Sequence, residues 1–388
     1  MTIHSNRGKT RSVKREKPIN PAIYEGLQIP SGQTQEVKEK VKVLTLEPKM
    51  TNDEIKAREG TYFKESEIDQ IIKEDCDVYG YDEQGGKKLL ARFRKNVIDK
   101  PLIRQGWEAF YNTSAASRNR GAAAGPIAVK GAYWSKRKPT EITGWSARYM
   151  QDGKVSKMRV NNNVFSSVLG FFEKTPFMGL PCRMTTYTQR FFKQYKHGIP
   201  FIQAIDRVFK KLVPGPYKLQ KQRVNAKPTY QVADTAFSSI TINRNFQTAL
   251  HQDDGDFKDG FGNLSVIERG FYHGGYTLFP RYKVGFDLRT GDFIAMDVHE
   301  WHCNTELYET AEDKEKNKQL ERIHHEDQST GTMGTEKAFT RISFVCYLRE
   351  KLADCDEATT KRYHKSIGLD METGPSKKRT TRKKQREE

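Results

Sequence analysis

Long apolar runs are missing from this chain of 388 residues. No stretch approaches the roughly 20 consecutive apolar residues that cross a bilayer, which excludes a membrane-spanning helix. Met1–Asn20 is basic with no apolar segment behind it, unlike a secretory leader, so an intracellular and non-secreted protein is expected. Cysteine is scarce. Cys76, Cys182, Cys303, Cys346 and Cys355 are odd in number, scattered and free of any CxxC pair. That argues against a disulfide framework or a cysteine zinc site, and for a reducing compartment. Internal repeats and a Gly-Lys-Ser/Thr phosphate loop are absent too, which removes the commonest nucleotide-binding signature. Acidic residues are outnumbered: 49 Asp+Glu face 67 Lys+Arg, a net charge of +18. Such an excess points to a polyanionic partner, because phosphate contacts release condensed counterions. Nucleic acid is the first candidate, and nothing signals a membrane or an obligate protein partner.

The basic charge that is present sits in three places. Met1–Asn20 and Ser376–Glu388 each carry +5 without apolar anchors and read as disordered arms. Lys377-Lys378-Arg379 and Arg382-Lys383-Lys384 would suit nuclear import in a eukaryote. From Arg190 to Lys227, ten Lys/Arg face a single acid, Asp206. Here Phe201, Ile202, Ile205, Val208, Phe209 and Leu212 make a helical apolar stripe, with Arg207, Lys210 and Lys211 largely off it. One face would pack and the other meet phosphates, so Arg190, Lys193, Lys196, Arg207, Lys210 and Lys211 are candidate contacts to a nucleic-acid backbone. Arg118 and Arg120 join them from Ser117–Pro126, a loop of small residues that a polyanion's backbone could approach closely.

Pattern along the chain predicts an α+β fold. Residues 1–50 read as a basic, largely disordered arm. In 51–100, Ile71-Ile72 behind Ser66 and the spacing of Leu89, Leu90 and Phe93 predict a helical N-terminal extension. Residues 101–235 read as a helical and loop support region with a DNA-facing surface, and Val164–Phe172 as a buried helix capped by Asn163. After Ala236 the texture changes to short β-prone runs between Gly, Pro and Asp turns. These are Phe237–Ile242, Leu264–Ile267, Tyr276–Phe279, Lys283–Leu288, Phe293–Met296 and Ile342–Tyr347. Six short strands imply a sandwich or barrel over 236–350, with a polar insertion at 306–337 and a basic tail over 351–388.

Within the β-rich region, His251-Gln252-Asp253 places an imidazole and a carboxylate two residues apart, on one side of an extended strand. The order of features after it builds a site: Gly274-Gly275, then Thr290-Gly291-Asp292, then His299-Glu300-Trp301-His302-Cys303-Asn304, then Arg341 opening the last strand. Two histidines and a carboxylate leave three adjacent positions open on Fe(II), suiting a chelating 2-oxoacid and dioxygen. An arginine nearby would hold the distal carboxylate of 2-oxoglutarate.

The run from Thr241-Ile242-Asn243-Arg244-Asn245-Phe246 through His251-Gln252-Asp253, Gly274–Pro280, Gly291-Asp292 and Trp301–Thr305 to Arg341-Ile342-Ser343 resembles the TET/JBP family of Fe(II)/2-oxoglutarate dioxygenases. The resemblance covers about Ala236–Glu350, with a looser match at Arg120–Gly125 and Pro181–Thr185. It implies a double-stranded β-helix that oxidises the methyl group of thymine or 5-methylcytosine in DNA with Fe(II), 2-oxoglutarate and O2. It makes His251, Asp253 and His302 the iron ligands and Arg341 the carboxylate clamp, with Asn243 and Asn245 beside cosubstrate or base. His302 is chosen over His299 because it precedes Cys303-Asn304-Thr305 as the family's ligand does. Two departures stand out. Thirty-eight residues separate His302 from Arg341, which leaves Arg349 as a substitute clamp, and the cysteine-rich zinc module of animal TET proteins is missing. His273, His324 and His325 are rival ligands that read as loop histidines. Trp134, Trp145, Phe271 and Tyr272 are candidate stacking partners for an extruded base. The competing functional readings are a prolyl or lysyl hydroxylase of the same fold and a nucleic-acid-binding protein without turnover.

Overall fold

The computed structural model describes residues 20–376 apart from 83, 114, 328–331 and 336–338, with only the backbone of 324–327 and 332–335. The basic runs before residue 20 and after 376, and the side chains of His324 and His325, lie outside the described residues.

The elements used below are β1 (Lys42–Leu46), β2 (Gln70–Ile72), β3 (Cys76–Tyr81), β4 (Lys87–Arg94), α1 (Lys100–Phe110), β5 (Val164–Phe172), α2 (Phe192–Leu212) and α3 (Pro214–Asn225). They continue with β6 (Ser239–Arg244), β7 (Gly262–Arg269), β8 (Thr277–Phe279), β9 (Val284–Phe286), β10 (Phe293–Met296), β11 (Cys303–Asn304), β12 (Thr340–Tyr347) and α4 (Glu357–Ser366). A large sheet runs in the order β1-β3-β4-β10-β7-β12-β6-β5, and a small one in the order β11-β8-β9-β2. From β6 onward the chain passes back and forth between the two sheets, which is the winding of a double-stranded β-helix. The expected α+β class and β-helix core are both present.

The pleat sorts the large sheet's side chains by chemistry. Along β6, Ile240 and Ile242 belong to the main apolar core, while Thr241 and Asn243 line a cavity between the sheets. Along β12, Ile342, Phe344 and Cys346 join that core, and Arg341, Ser343 and Val345 line the cavity. Helices cover the apolar side. The Phe344 ring lies 4.9 Å from Phe201 of α2 and 5.4 Å from Phe110 of α1. The two helices meet where Gly198 leaves room for Phe110, since a Cβ there would fall 2.3 Å from that ring. The stripe Phe201, Ile202, Ile205, Val208, Phe209 and Leu212 is buried as its period predicts, and α2 ends just before Pro214.

Several expected boundaries are corrected. Residues 51–100 are chiefly strands: β3 pairs with β4, β4 with β10, and β2 with β9. Leu90, Ala91 and Phe93 are all fully buried because β4 is covered on both faces, so its apolar residues cluster instead of alternating and imitate a helical spacing. Val164–Phe172 is likewise strand β5, paired with β6 and covered on both faces. Residues 20–50 are not a loose arm. Trp107 Nε1 donates to the carbonyl of buried Ile23 at 3.0 Å, and β1 pairs in parallel with β3. Residues 351–376 are not a loose tail. They contain α4, whose His364 Nε2 accepts the Met184 N–H at 3.0 Å. The cysteine expectation fails at one pair, because Cys182 and Cys355 are disulfide-bonded across 173 residues, a contact that only folding creates. The insertion forms a helix, Ala311–Asn317, with a capping box on Thr310, and a hairpin pairing His324–Asp327 with Thr332–Thr335. Among the described residues no helix is long and apolar enough to cross a membrane.

Candidate metal centre

Residues 249–253 run antiparallel to 298–304. His251 and His302 sit opposite one another and exchange both backbone hydrogen bonds, at 3.1 and 3.0 Å. Such a pair sends both side chains to one side of the ladder, and the ring centroids are 4.3 Å apart. Asp253, two residues on, points the same way. Its Oδ1 is 3.7 Å from His251 Nε2 and its Oδ2 3.6 Å from His302 Nε2. Among the described residues these three form the one His/Cys/Asp/Glu group with metal-holding geometry, their donor atoms within 4.8 Å of one another.

Each histidine is oriented by its own strand. His251 Nδ1 bonds the Ala249 carbonyl at 2.8 Å, and His302 Nδ1 bonds the Glu300 carbonyl at 2.9 Å. A carbonyl only accepts, so Nδ1 carries the proton and the Nε2 lone pair is left facing Asp253, the tautomer a metal ligand requires. Burial, with His302 adding to it, pulls the His251 pKa down to about 4. For His302 burial acts in the same direction, but the Asp253 carboxylate outweighs it and raises the pKa. Burial opposes ionisation of Asp253, yet His302, His251 and Arg120 together hold its carboxyl well below the usual range. Two imidazole nitrogens and one carboxylate facing a common point suit a divalent first-row metal, whose binding would take the place of the proton that Asp253 favours on His302.

The trio opens into a cavity of about 240 Å³ between the sheets. Arg341, Arg120, Asn243, Asp256, Tyr347 and Arg349 also line it. The two clamp candidates separate cleanly. Arg349 is engaged in a bidentate ion pair with Glu173. Arg341 makes no ion pair among the described residues, and its Nε is buried without a partner. Asn243 accepts a hydrogen bond from Ser166 Oγ at 2.5 Å at the cavity wall. Asn245 does not reach the cavity. It adopts φ 44° just past β6 and clasps the backbone of Arg341, accepting its N–H at 2.6 Å and donating to its carbonyl at 2.9 Å. Its expected cofactor contact is therefore corrected to positioning of the arginine.

Of the expected DNA contacts, Arg120 belongs inside the cavity, with a buried, unpartnered Nε. Arg118 stacks over Tyr133 at 4.0 Å. Lys193, Lys196, Arg207, Lys210 and Lys211 are exposed on α2, and Arg190 lies just before it over Phe191. Because α2 covers the apolar side of the large sheet, none of these six is brought to the cavity. Among the rivals, His299 bonds the Phe257 carbonyl, and His273 pairs with Asp313 at 3.1 Å. Trp134, Trp145, Phe271 and Tyr272 do not line the cavity, whereas Phe246 and Tyr347 do. Sequence reasoning missed Asp256, whose Oδ2 is buried without a partner and whose carboxyl is pushed well above the usual range by burial and by Asp253. The one available signal was its place in Asp253-Asp254-Gly255-Asp256.

Residues 167–350 match the family model Tet_JBP, the oxygenase domain of the 2OGFeDO superfamily. The bifunctional helicase and thymine dioxygenase JBP2 of Leishmania infantum is 33% identical over 192 residues, 49% of this chain and 15% of that protein. Its namesake in Trypanosoma brucei brucei is 29% identical over 316 residues, 80% of this chain and 23% of that protein. The thymine dioxygenase JBP1 of the same organism is 33% identical over 205 residues, 52% of this chain and 21% of that protein. The chain thus spans less than a quarter of the length of these relatives. A solved structure described as NgTET1 in complex with 5mC DNA aligns with a TM-score of 0.43 at 12% identity, over 77% of this chain and 88% of that one.

Proposed function

We propose that this protein, whose residues 167–350 match the Tet_JBP model of the oxygenase domain of the 2OGFeDO superfamily, is an Fe(II)/2-oxoglutarate-dependent dioxygenase that hydroxylates the C5-methyl group of a pyrimidine, thymine or 5-methylcytosine, in DNA. The observation that carries the reading is one cavity holding both a His251–Asp253–His302 donor set and the unpartnered buried guanidinium of Arg341. That combination fits the metal and its cosubstrate: three donor atoms within 4.8 Å of one another that would hold the ion, and a cation that would meet a carboxylate.

In this reading His251, Asp253 and His302 hold Fe(II), and Arg341 grips the distal carboxylate of 2-oxoglutarate by a bidentate, charge-assisted pair. Asn245 fixes the backbone of Arg341 so that the grip is preset. Arg120, which also lines the cavity, balances the negative charge of Asp253 and of a dianionic cosubstrate. With Fe(II) and 2-oxoglutarate bound, the centre supplies oxidation of a C–H bond by O2, yielding succinate and carbon dioxide. Leu264, Met296 and Val298 in the cavity wall keep water from the reacting carbon. A methyl group stacked inside a duplex cannot reach a cavity between two sheets, so the target nucleotide must flip out. The net charge of +18 favours DNA over a peptide substrate. The basic runs at 377–379 and 382–384 suit nuclear import.

The test is to incubate the purified protein with Fe(II), 2-oxoglutarate, air and either unmodified or CpG-methylated duplex DNA, then to measure succinate and the digested nucleosides by mass spectrometry. A hydroxymethylated pyrimidine is expected, and its identity names the substrate. Succinate released with a prolyl or lysyl peptide but not with DNA would overturn the choice of substrate. DNA binding without succinate would overturn turnover.

A further inference from the structure

Between the cavity-lining turn at Gly121–Ala124 and β5 the chain builds a small module of its own. Residues 139–140, 148–151 and 154–155 form a three-stranded antiparallel sheet, turned at Asp152-Gly153, where both φ angles are positive. Beneath it Trp134, Ala147 and Val160 make a separate core cluster, edged by Tyr133 and Tyr149. Tyr133 is clasped between the guanidinium groups of Arg118 and Arg137, at 4.0 and 4.1 Å.

Charge is concentrated here. Residues 127–160 contain five lysines and three arginines against Glu141 and Asp152, a net +6, one third of the chain's total. Glu141 is taken up by Arg148 and Arg159, at 3.4 and 3.3 Å. Lys130, Lys136, Lys138, Lys154 and Lys157 are all exposed, and among the described residues none has an acidic partner. A folded surface that neutralises Glu141 internally and leaves five ammonium groups in solvent is built for an external polyanion.

Its attachment places it beside the metal centre. The Gly121 N–H donates to Asn161 Oδ1 at 2.9 Å, and Asn162 Nδ2 donates to the Ala124 and Pro126 carbonyls at 3.0 and 2.8 Å. The C-terminal stem of the module is thus tied to the segment that carries Arg120 and Ala123 into the cavity, and its N-terminal stem continues directly from that segment. Ala123 in turn accepts the Ala249 N–H at 3.0 Å, two residues from His251. The exposed cations of α2 have no such link, since the large sheet stands between them and the cavity.

We infer that residues 127–160 are the duplex-docking surface of this enzyme, with Lys130, Lys136, Lys138, Lys154 and Lys157 holding the phosphate backbone around the nucleotide delivered to the cavity. The inference rests on DNA being the substrate. Phosphate contacts made by a rigid module anchored to the cavity wall fix the register of the duplex relative to the metal, which cations behind the sheet cannot do.

The test is fluorescence anisotropy of a fluorescein-labelled DNA duplex against the full chain across a series of KCl concentrations. The variants are K130Q/K136Q/K138Q/K154Q/K157Q and, on α2, R207Q/K210Q/K211Q, both checked for an unchanged Tm. Each lost phosphate contact should flatten the slope of log affinity against log salt by roughly 0.9. The module variant should therefore lose up to about 4.5 units of slope and bind at least about tenfold more weakly, while the helix variant stays near the wild type. Equal losses in both variants, or loss in the helix variant alone, overturn the inference. If the wild type oxidises DNA while the module variant binds as tightly as before, this inference falls and the substrate reading survives. If the wild type binds an RNA duplex but no DNA duplex, both fall.

Discussion

Ile342 and Ser343 are consecutive in the chain, yet one packs against α1 and α2 while the other faces the metal centre. The same contrast repeats along β6. On its helix side the large sheet is a continuous apolar floor filled by Phe110, Phe201 and Phe344. On its cavity side it carries Thr241, Asn243, Arg341 and Ser343, with polar groups left unsatisfied within the protein. Stability is invested in the first face and reactivity in the second. The pleat lets both be specified by one strand, so a substitution should be read first by its parity along the strand and only then by its residue type.

The largest effect should come from the cavity side. His251→Ala is expected to lower DNA oxidation by about a thousandfold or more, roughly 4 kcal/mol of transition-state stabilisation, with little change in Tm. A variant that melts much earlier would break the separation of the two faces. Phe344→Ala is the mirror experiment. It should cost about 3–5 kcal/mol of stability by opening a cavity in the apolar floor, while turnover measured well below the melting range persists. Loss of activity in fully folded protein would show that the two faces are coupled. Arg341→Gln should raise the 2-oxoglutarate concentration giving half-maximal rate by about 10–100-fold, the worth of a charged hydrogen bond, and leave the oxidised base unchanged. An unaltered requirement would return the clamp to Arg349.

The smallest effect lies furthest from the cavity. His364 accepts the Met184 N–H, and burial pulls its pKa down to about 4 against about 6.5 in the unfolded chain. The neutral ring is the folded form, so its contribution is complete above about pH 6.5 and is lost as pH falls towards 4. Between neutrality and pH 5 this should remove about 2 kcal/mol of stability. His364→Asn keeps an acceptor but cannot titrate, and should flatten the pH dependence of Tm. An identical pH profile would dismiss the scaffold as the seat of this acid sensitivity.

Much of the site was legible because its signals are local. His251 and Asp253 stand two apart on an extended segment, and the spacing alone aligns their side chains. Arg341 opens a strand that alternates cleanly, so its cavity side could be read from the pattern. The failures share a different cause. Leu89, Leu90 and Phe93 in β4, and Val164–Phe172 in β5, lie in strands covered on both faces, where burial erases alternation and leaves an apolar run that fits a helix equally well. Asn245 and Arg120 carried the right residue types for ligand contact and DNA contact, but their roles depend on where the chain turns after β6 and where the small-residue turn packs.

By itself the sequence determined the chemistry of this protein. It supplied a His-Asp pair at strand spacing and an apolar stripe at helical period, each set by residues a few positions apart, and a large positive charge from composition, while the later histidine and the arginine were assigned through the family resemblance. Only the tertiary structure decided the geography. It alone set His251 across the ladder from His302, tied up Arg349 while leaving Arg341 unpartnered, turned α2 and its cations away from the cavity and hung the lysine-rich module at its wall. The physical reason is that contacts between distant segments are fixed by the packing of whole sheets and helices, and no local period records which side of a sheet a helix will cover.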